Sequence, residues 1–310
     1  MYKYIFKRLL YLIPVMFGVS LIIFTMMYFT PGDPARILLG EAAPEEQVEA
    51  LRDQMGLNDP FFVQYGSWLR GIVLEGDVGT SFRTRRDVSD EIMDRFPATL
   101  QLATAGAVVS IVLGVPIGII SATRQYSIFD NASMFVALLG VSMPNFWLAM
   151  LLILLFAVNL NWLPSSGLNQ GFRSLILPAF TLGTGSAAII ARMTRSSMLE
   201  VIRQDYIRTA RAKGQVESKV VNRHALKNAL IPILTIIGLQ FGGLLGGAVL
   251  TETVFSIPGV GRLMVDSISA RDFPVVQGGV LFIAVTFSLV NLIVDVLYAF
   301  VDPRIKSQYK

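Results

Sequence analysis

The residues best placed to do chemistry in this chain run from Tyr206 to Pro232, as YIRTARAKG, QVESKVVNR and HALKNALIP. Arg208, Arg211 and Lys213 alternate there with the small residues Thr209, Ala210 and Ala212. On a helix, small side chains let the backbone settle into a groove, while long cations reach carboxylates or carbonyls at its rim. That is the chemistry of contact rather than of bond-making. Bond-making has little else to draw on. His224 is the single histidine and cysteine is absent, so the usual three or four N/S ligands of a zinc site cannot be assembled, and HExxH is missing. No GxxxxGK[ST] loop cradles a phosphate, and no GxSxG elbow presents a serine. His224 therefore reads as a structural or contact residue.

Asp205 is expected to N-cap a helix over 206–213, and Gly214 to follow its end in the left-handed turn that glycine tolerates. A second helix is expected from about Ser218, running through His224 and Asn228 into an apolar run. Pro232 falls in the first turns of that run, where its missing N–H costs less than in mid-helix. On charge alone the segment also reads as a basic loop drawn to anionic headgroups.

A second set of polar residues is embedded in apolar sequence. A charge at the bilayer centre costs about 2.5–3.5 kcal/mol on insertion scales, so intramembrane carboxylates face a cavity or a partner. Asp295 shares a helical face with Ser288, Asn291 and Tyr298. It either lines a hydrophilic pathway or pairs with a base such as Arg192. Glu252 lies at the outer end of another apolar run, suited to a cationic peptide amine, to capping a neighbouring helix or to the headgroup layer. Gln240, Asn145 and Gln101 are candidates for interhelical hydrogen bonds. Gln240, Glu252, Asn291 and Asp295 form the candidate pathway or gate set.

These residues must be carried by membrane helices. The chain has 310 residues, 53% hydrophobic and 15% charged, with mean hydropathy +0.59, where a soluble chain carries about 25% charged residues. Apolar windows long enough to cross the bilayer lie near 9–29, 98–123, 134–158, 175–194, 229–251 and 275–301, predicting six transmembrane helices. Placing both termini in the cytoplasm puts 16 of the 26 basic residues there, as the positive-inside tendency requires. Thirteen acidic residues between Asp33 and Asp94 fall outside. The net charge of +4 is thus a topology signal with no bearing on nucleic acid, and the lipid bilayer is the first partner. The basic start and apolar run at the N-terminus read as an uncleaved first span, since TPGDP follows where a cleavage site would stand.

The chain divides into a first helix at 1–30, an extracytoplasmic helical insert at 31–96, a five-helix core at 97–302 carrying the 195–228 loop, and a cytoplasmic tail at 303–310. Within the insert, short helices are expected over 44–55, 61–73 and 87–96, with a turn at 76–79. The fifth span repeats glycine every four residues at Gly238, Gly242 and Gly246, a close-packing face in lipid or a flexible gate. No repeated halves of the secondary-transporter kind are found.

The order of the 206–232 segment resembles the cytoplasmic loop of permease subunits in bacterial ATP-binding-cassette importers, and more narrowly the B-type permeases of the peptide/nickel family. The resemblance extends through TPGDP at 30–34, GDVGTSF at 76–82, GVSMPNFW at 140–147, RMTRSSMLEV at 192–201, LTETVFSIPGVGRL at 250–263, RDFPVVQGG at 271–279 and IVDVLYAFVDPRI at 293–305. Arg208 stands where the broader loop has glutamate and Lys227 where it has proline, both in keeping with the peptide branch. The resemblance implies an all-α integral membrane protein of the type I importer permease fold in the bacterial cytoplasmic membrane. It makes 206–213 a coupling helix, with Asp205, Tyr206, Arg208, Thr209, Ala210, Arg211, Ala212, Lys213, Gly214 and His224 as its contact residues. It implies a second homologous permease, two ATPase subunits that hold the ATP and magnesium, and an extracytoplasmic substrate-binding protein. The chain itself would carry no cofactor and no catalytic residue. Di- or oligopeptides are the expected cargo, with nickel chelates, glutathione and glycosides as alternatives.

Overall fold

A computed structural model describes residues 2–40 and 42–301, and every regular element among them is helical. Two compact units emerge, one of Phe6–Thr99 with Pro258–Ser288, the other of Leu100–Ile257 with stretches at the chain ends.

In the first unit, α1 (Tyr2–Phe29) is a long apolar helix that stops at Thr30–Pro31. The insert follows as α2 (Pro34–Leu39), α3 (Glu45–Gln54) and α4 (Phe61–Arg70), the last continuing into a π-type turn over Gly71–Glu75. Asp33 caps α2, accepting the Ala35 N–H at 3.0 Å, and a proline opens the helix where its missing N–H costs nothing. Aromatic packing holds α4 on α1: Phe24 meets Phe61, Tyr65 and Trp68 at centroid distances of 5.5, 5.4 and 5.4 Å. The Ser20 and Tyr65 hydroxyls share a 2.8 Å hydrogen bond. The insert shares a second core with α12 (Val260–Ser269), in which Val88, Ile92, Val260, Leu263 and Val275 are buried. Asp272, itself buried, accepts the Phe82 and Arg83 N–H groups at 3.0 and 3.3 Å and the Ser81 hydroxyl. GDVGTSF and RDFP, about 190 residues apart in sequence, are thereby fastened together.

Two sequence expectations need correcting. A helix over 87–96 and a span over 98–123 prove to be one helix, α5 (Val88–Thr123). One N–H missing at Pro97 costs less than two helix ends, each with four unsatisfied backbone groups, at a membrane surface. The span expected at 134–158 is broken instead into α6 (Ile128–Ser142) and α7 (Asn145–Leu152), with a π-type run over Ile153–Asn159. The two limbs meet at 104°, because Met143 is extended before Pro144, as a residue preceding proline prefers. Among the described residues, five helices are long and apolar enough to span, and there are six spans if the bent pair counts as one.

In the second unit, α8 (Phe172–Ile202) is the centre, with α6, α7 and α11 (Leu226–Val254) packed around it. Its close partner is α5. A Cβ at Gly114 would lie 2.6 Å from the Ala187 carbonyl oxygen, and one at Gly118 would lie 2.5 Å from the Thr194 Cβ. Only glycine permits that approach, which is how helices gain packing in lipid. The repeat in α11 does less than expected. Gly238 abuts Val294 and Gly242 is buried, but a Cβ at Gly243 or Gly246 would meet nothing within 4 Å. The last helix, α13 (Phe273–Val301), completes the fold.

Candidate functional site

The basic segment folds as α9 (Asp205–Ala212), a short helix, then α10 (Glu217–Lys219) and a π-type turn over Val220–Ala225 that feeds into α11. Its start differs from expectation. Gln204 is the cap residue and makes no side-chain cap bond, whereas Asp205 is the first helical residue. The Asp205 carboxylate is 97% exposed and lies 3.7 Å from Arg208 one turn on, where a negative charge complements the helix dipole. The end is as expected. Gly214 takes φ +73°, its N–H donates to the Arg211 carbonyl at 2.9 Å, and the Gln215 N–H donates to the Ala210 carbonyl at 3.3 Å. These are the two bonds of a Schellman cap.

One side chain of this helix is fully buried. Ile207 is 0% exposed and enters a core with Ala122 of α5, Met198 of α8, Val220, Val221 and Ala225 of the turn, and Ala229 and Ile233 of α11. That core is shared by three long helices, α5, α8 and α11. Around it, Tyr206, Arg208, Thr209, Arg211, Ala212 and Lys213 are exposed and Ala210 is half-buried. The Tyr206 hydroxyl accepts the Asn228 amide at 2.9 Å, and the same amide donates to the His224 carbonyl at 2.9 Å. Arg211 forks onto Glu217 at 3.0 and 2.6 Å. That hydrogen bond and the adjacent charge hold the Arg211 guanidinium above its ordinary value, so it stays cationic. A concavity of about 500 Å³ lies beside the helix, lined by Tyr206, Thr209, Ala210, Lys213, Arg223 and His224 among others. Its charged lining is entirely basic. It suits an acidic or carbonyl-rich protein surface, and it brings His224 to the same place as α9.

Of the pathway candidates, Gln240 and Glu252 lie on α11 and Asn291 on α13. Gln240 donates to the Ser186 hydroxyl at 3.1 Å, tying α11 to α8. Glu252 is 0% exposed, sealed inside the chain near the end of α11. Asn291 is half-buried in α13. The side chains of Asp295 and Tyr298 lie outside the described residues. No group of three or more His, Cys, Asp or Glu side chains able to hold a metal occurs among the described residues.

Sequence reasoning missed one buried ion pair. Asp130, 2% exposed near the start of α6, takes a bidentate fork from Arg195 of α8, both bonds at 2.8 Å. It also accepts the Ser121 hydroxyl of α5 and the Tyr126 N–H, the latter at 3.0 Å. One carboxylate thus ties α5, α6 and α8 together. The sequence signals only the helix start: SIFD over 127–130 has Ser127 as cap, its hydroxyl accepting the Asp130 N–H at 3.2 Å.

The family model described as binding-protein-dependent transport system inner membrane component matches residues 114–307, and the N-terminal model of the same transport-system component matches residues 1–103. The dipeptide transport system permease protein DppB of Alkalihalophilus pseudofirmus is 46% identical, covering 99% of this chain and 100% of the relative. The glutathione transport system permease protein GsiC of Escherichia coli K12 is also 46% identical, covering 99% of each. Among solved structures, the MetNI methionine ABC transporter in an inward-facing conformation matches at TM-score 0.56 and 20% identity, over 69% of this chain and 97% of that one.

Proposed function

This chain belongs to the family of binding-protein-dependent transport system inner membrane components, and we propose that it forms half of the pathway of an ATP-driven importer of di- or oligopeptides. The observation that carries the coupling part of this reading is α9 itself. Its outer surface is small, basic and exposed, while Ile207 locks it into the core shared by α5, α8 and α11. A helix so mounted transmits force: a push on its exposed face passes through the core around Ile207, and through the Tyr206–Asn228 hydrogen bond, to the long helices.

The complete machine on this reading adds a second homologous permease and two ATPase subunits, which bind the ATP and magnesium and seat α9 in a cleft. A substrate-binding protein docks outside on the 31–96 insert. Both termini and α9 lie in the cytoplasm, supported by the concentration of Lys and Arg in the 192–228 segment. Peptide cargo is supported by the dipeptide permease relative. Glutathione is a second reading, supported by a relative of equal identity, and as a tripeptide-like solute it asks for the same architecture.

The test is a single cysteine at Thr209, introduced as Thr209→Cys into this cysteine-free chain, in the assembled transporter. The expected result is crosslinking to an ATPase subunit with a yield that changes on adding ATP. Crosslinking to lipid or to nothing overturns the coupling role. Uptake of a peptide panel against glutathione then decides the cargo.

A further inference from the structure

The ends of α5 and α8 that hold Ile207 also hold the Asp130 carboxylate, and both arrangements lie within the second compact unit. Ser121, which donates to Asp130, is the chain neighbour of Ala122 in the Ile207 core. Arg195, which forks onto Asp130, stands one turn before Met198 of the same core and shares a helix face with it. The ionic network is therefore mounted on the same closing turns of α5 and α8 as the seat of α9.

On α6 itself, Asp130 is the one side chain, among the described residues, that hydrogen-bonds to another helix. The other buried positions of α6 are Ala137 and Gly140, and a Cβ on Gly140 would lie 3.2 Å from the Thr184 Cγ2 of α8. Small apolar contacts of that kind let one helix turn or slide against another. Two parallel N–H···O bonds fix angle as well as distance. α6 thus has a single rigid anchor, at its start. From that anchor the helix runs about 20 Å, at 1.5 Å per residue, to Met143, where the chain bends by 104° into α7.

We propose that Asp130 is a positioning residue for coupling: through Arg195 and Ser121 it carries the movement of α9's seat into α6, and so to the bend at Met143–Pro144. This rests on α9 being driven by an ATPase, as proposed above, and adds the element that the motion reaches next.

The complete transporter in proteoliposomes tests it, with two reporters introduced separately on this chain. Thr209→Cys reports α9 by crosslinking to the ATPase. Ser142→Cys, exposed beside the bend, reports α6 by its rate of maleimide labelling with and without ATP. With Asp130 in place, both reporters should respond to ATP. In Asp130→Asn the α9 crosslink should respond as before, while labelling at Ser142→Cys should cease to respond. Solute delivered per ATP should fall about fivefold, within the range of substitutions that modulate coupling without touching a ligand. Arg195→Lys keeps the charge but loses the fork and should lower both readouts partway, which covers the case of Asp130→Asn failing to assemble. Asn131→Ala, exposed on α6, should behave as the parent. A purely structural role would lower hydrolysis and delivery together and leave their ratio and the labelling response intact; that result overturns the proposal. So does labelling at Ser142→Cys that ignores ATP in the parent, or loss of assembly in both fork variants. An absent Thr209→Cys crosslink in the parent overturns the role of α9, and this inference with it.

Discussion

At the scale of single residues, Ile207 bears the greatest mechanical consequence. Replacing a buried isoleucine by alanine costs about 2–5 kcal/mol, depending on how far the site collapses. In Ile207→Ala the helix still presents its basic face but is held less firmly to the spans, with the Tyr206–Asn228 hydrogen bond as its remaining tie to α11. The expected outcome is ATP hydrolysis at near-normal rate with less solute delivered per ATP, read by measuring both in the same proteoliposomes. An equal fall in both would make Ile207 a folding residue only. The Asp130–Arg195 fork makes a different prediction. Removing one partner leaves a buried charge or its hydrogen-bonding groups uncompensated, at about 3 kcal/mol, whereas removing both leaves neither. Thermal unfolding of Asp130→Ala, Arg195→Ala and the double variant should show the double losing less than the sum of the singles.

At the scale of elements, helix packing in lipid is set by backbone approach, and glycines divide accordingly. Gly118→Leu drives a side chain into Thr194 and should prevent α5 and α8 from closing, seen as lost assembly on size-exclusion chromatography. Gly243→Ala meets nothing within the chain and should assemble normally. The sequence could not separate these two cases. Periodicity showed the glycines of α11 as a repeat, but whether a glycine is covered depends on the neighbouring helix, which no local pattern encodes. Spans were legible because hydrocarbon thickness fixes their length, and Gly214 because a helix end demands a left-handed residue. The bend after Ser142 was not, since composition stays apolar through it and only Pro144 marks the change. The Asp130 fork was hidden for a similar reason: its partner lies 65 residues away, and the basic residues near Arg195 read collectively as a topology signal. Asp205 misled because an aspartate serves almost as well at the first helical position as at the cap.

At the scale of the whole molecule, the prediction concerns sidedness. The chain holds no cysteine, so single replacements report without background. Asp59→Cys in the insert should react with a membrane-impermeant maleimide in intact cells. Gln215→Cys beside α9 should react only after permeabilisation. The reverse pattern would place the basic segment outside, away from any cytoplasmic ATPase. The right-angled corner at Met143–Pro144 has a further consequence for the molecule in its bilayer. A corner leaves carbonyls of one limb and amides of the next without helical partners, and hydrocarbon tolerates bare peptide groups only where protein or water covers them. If this knee lies at membrane depth, it must be wetted or roofed by a neighbouring subunit. A dry, lipid-facing knee would be the most expensive backbone in the chain.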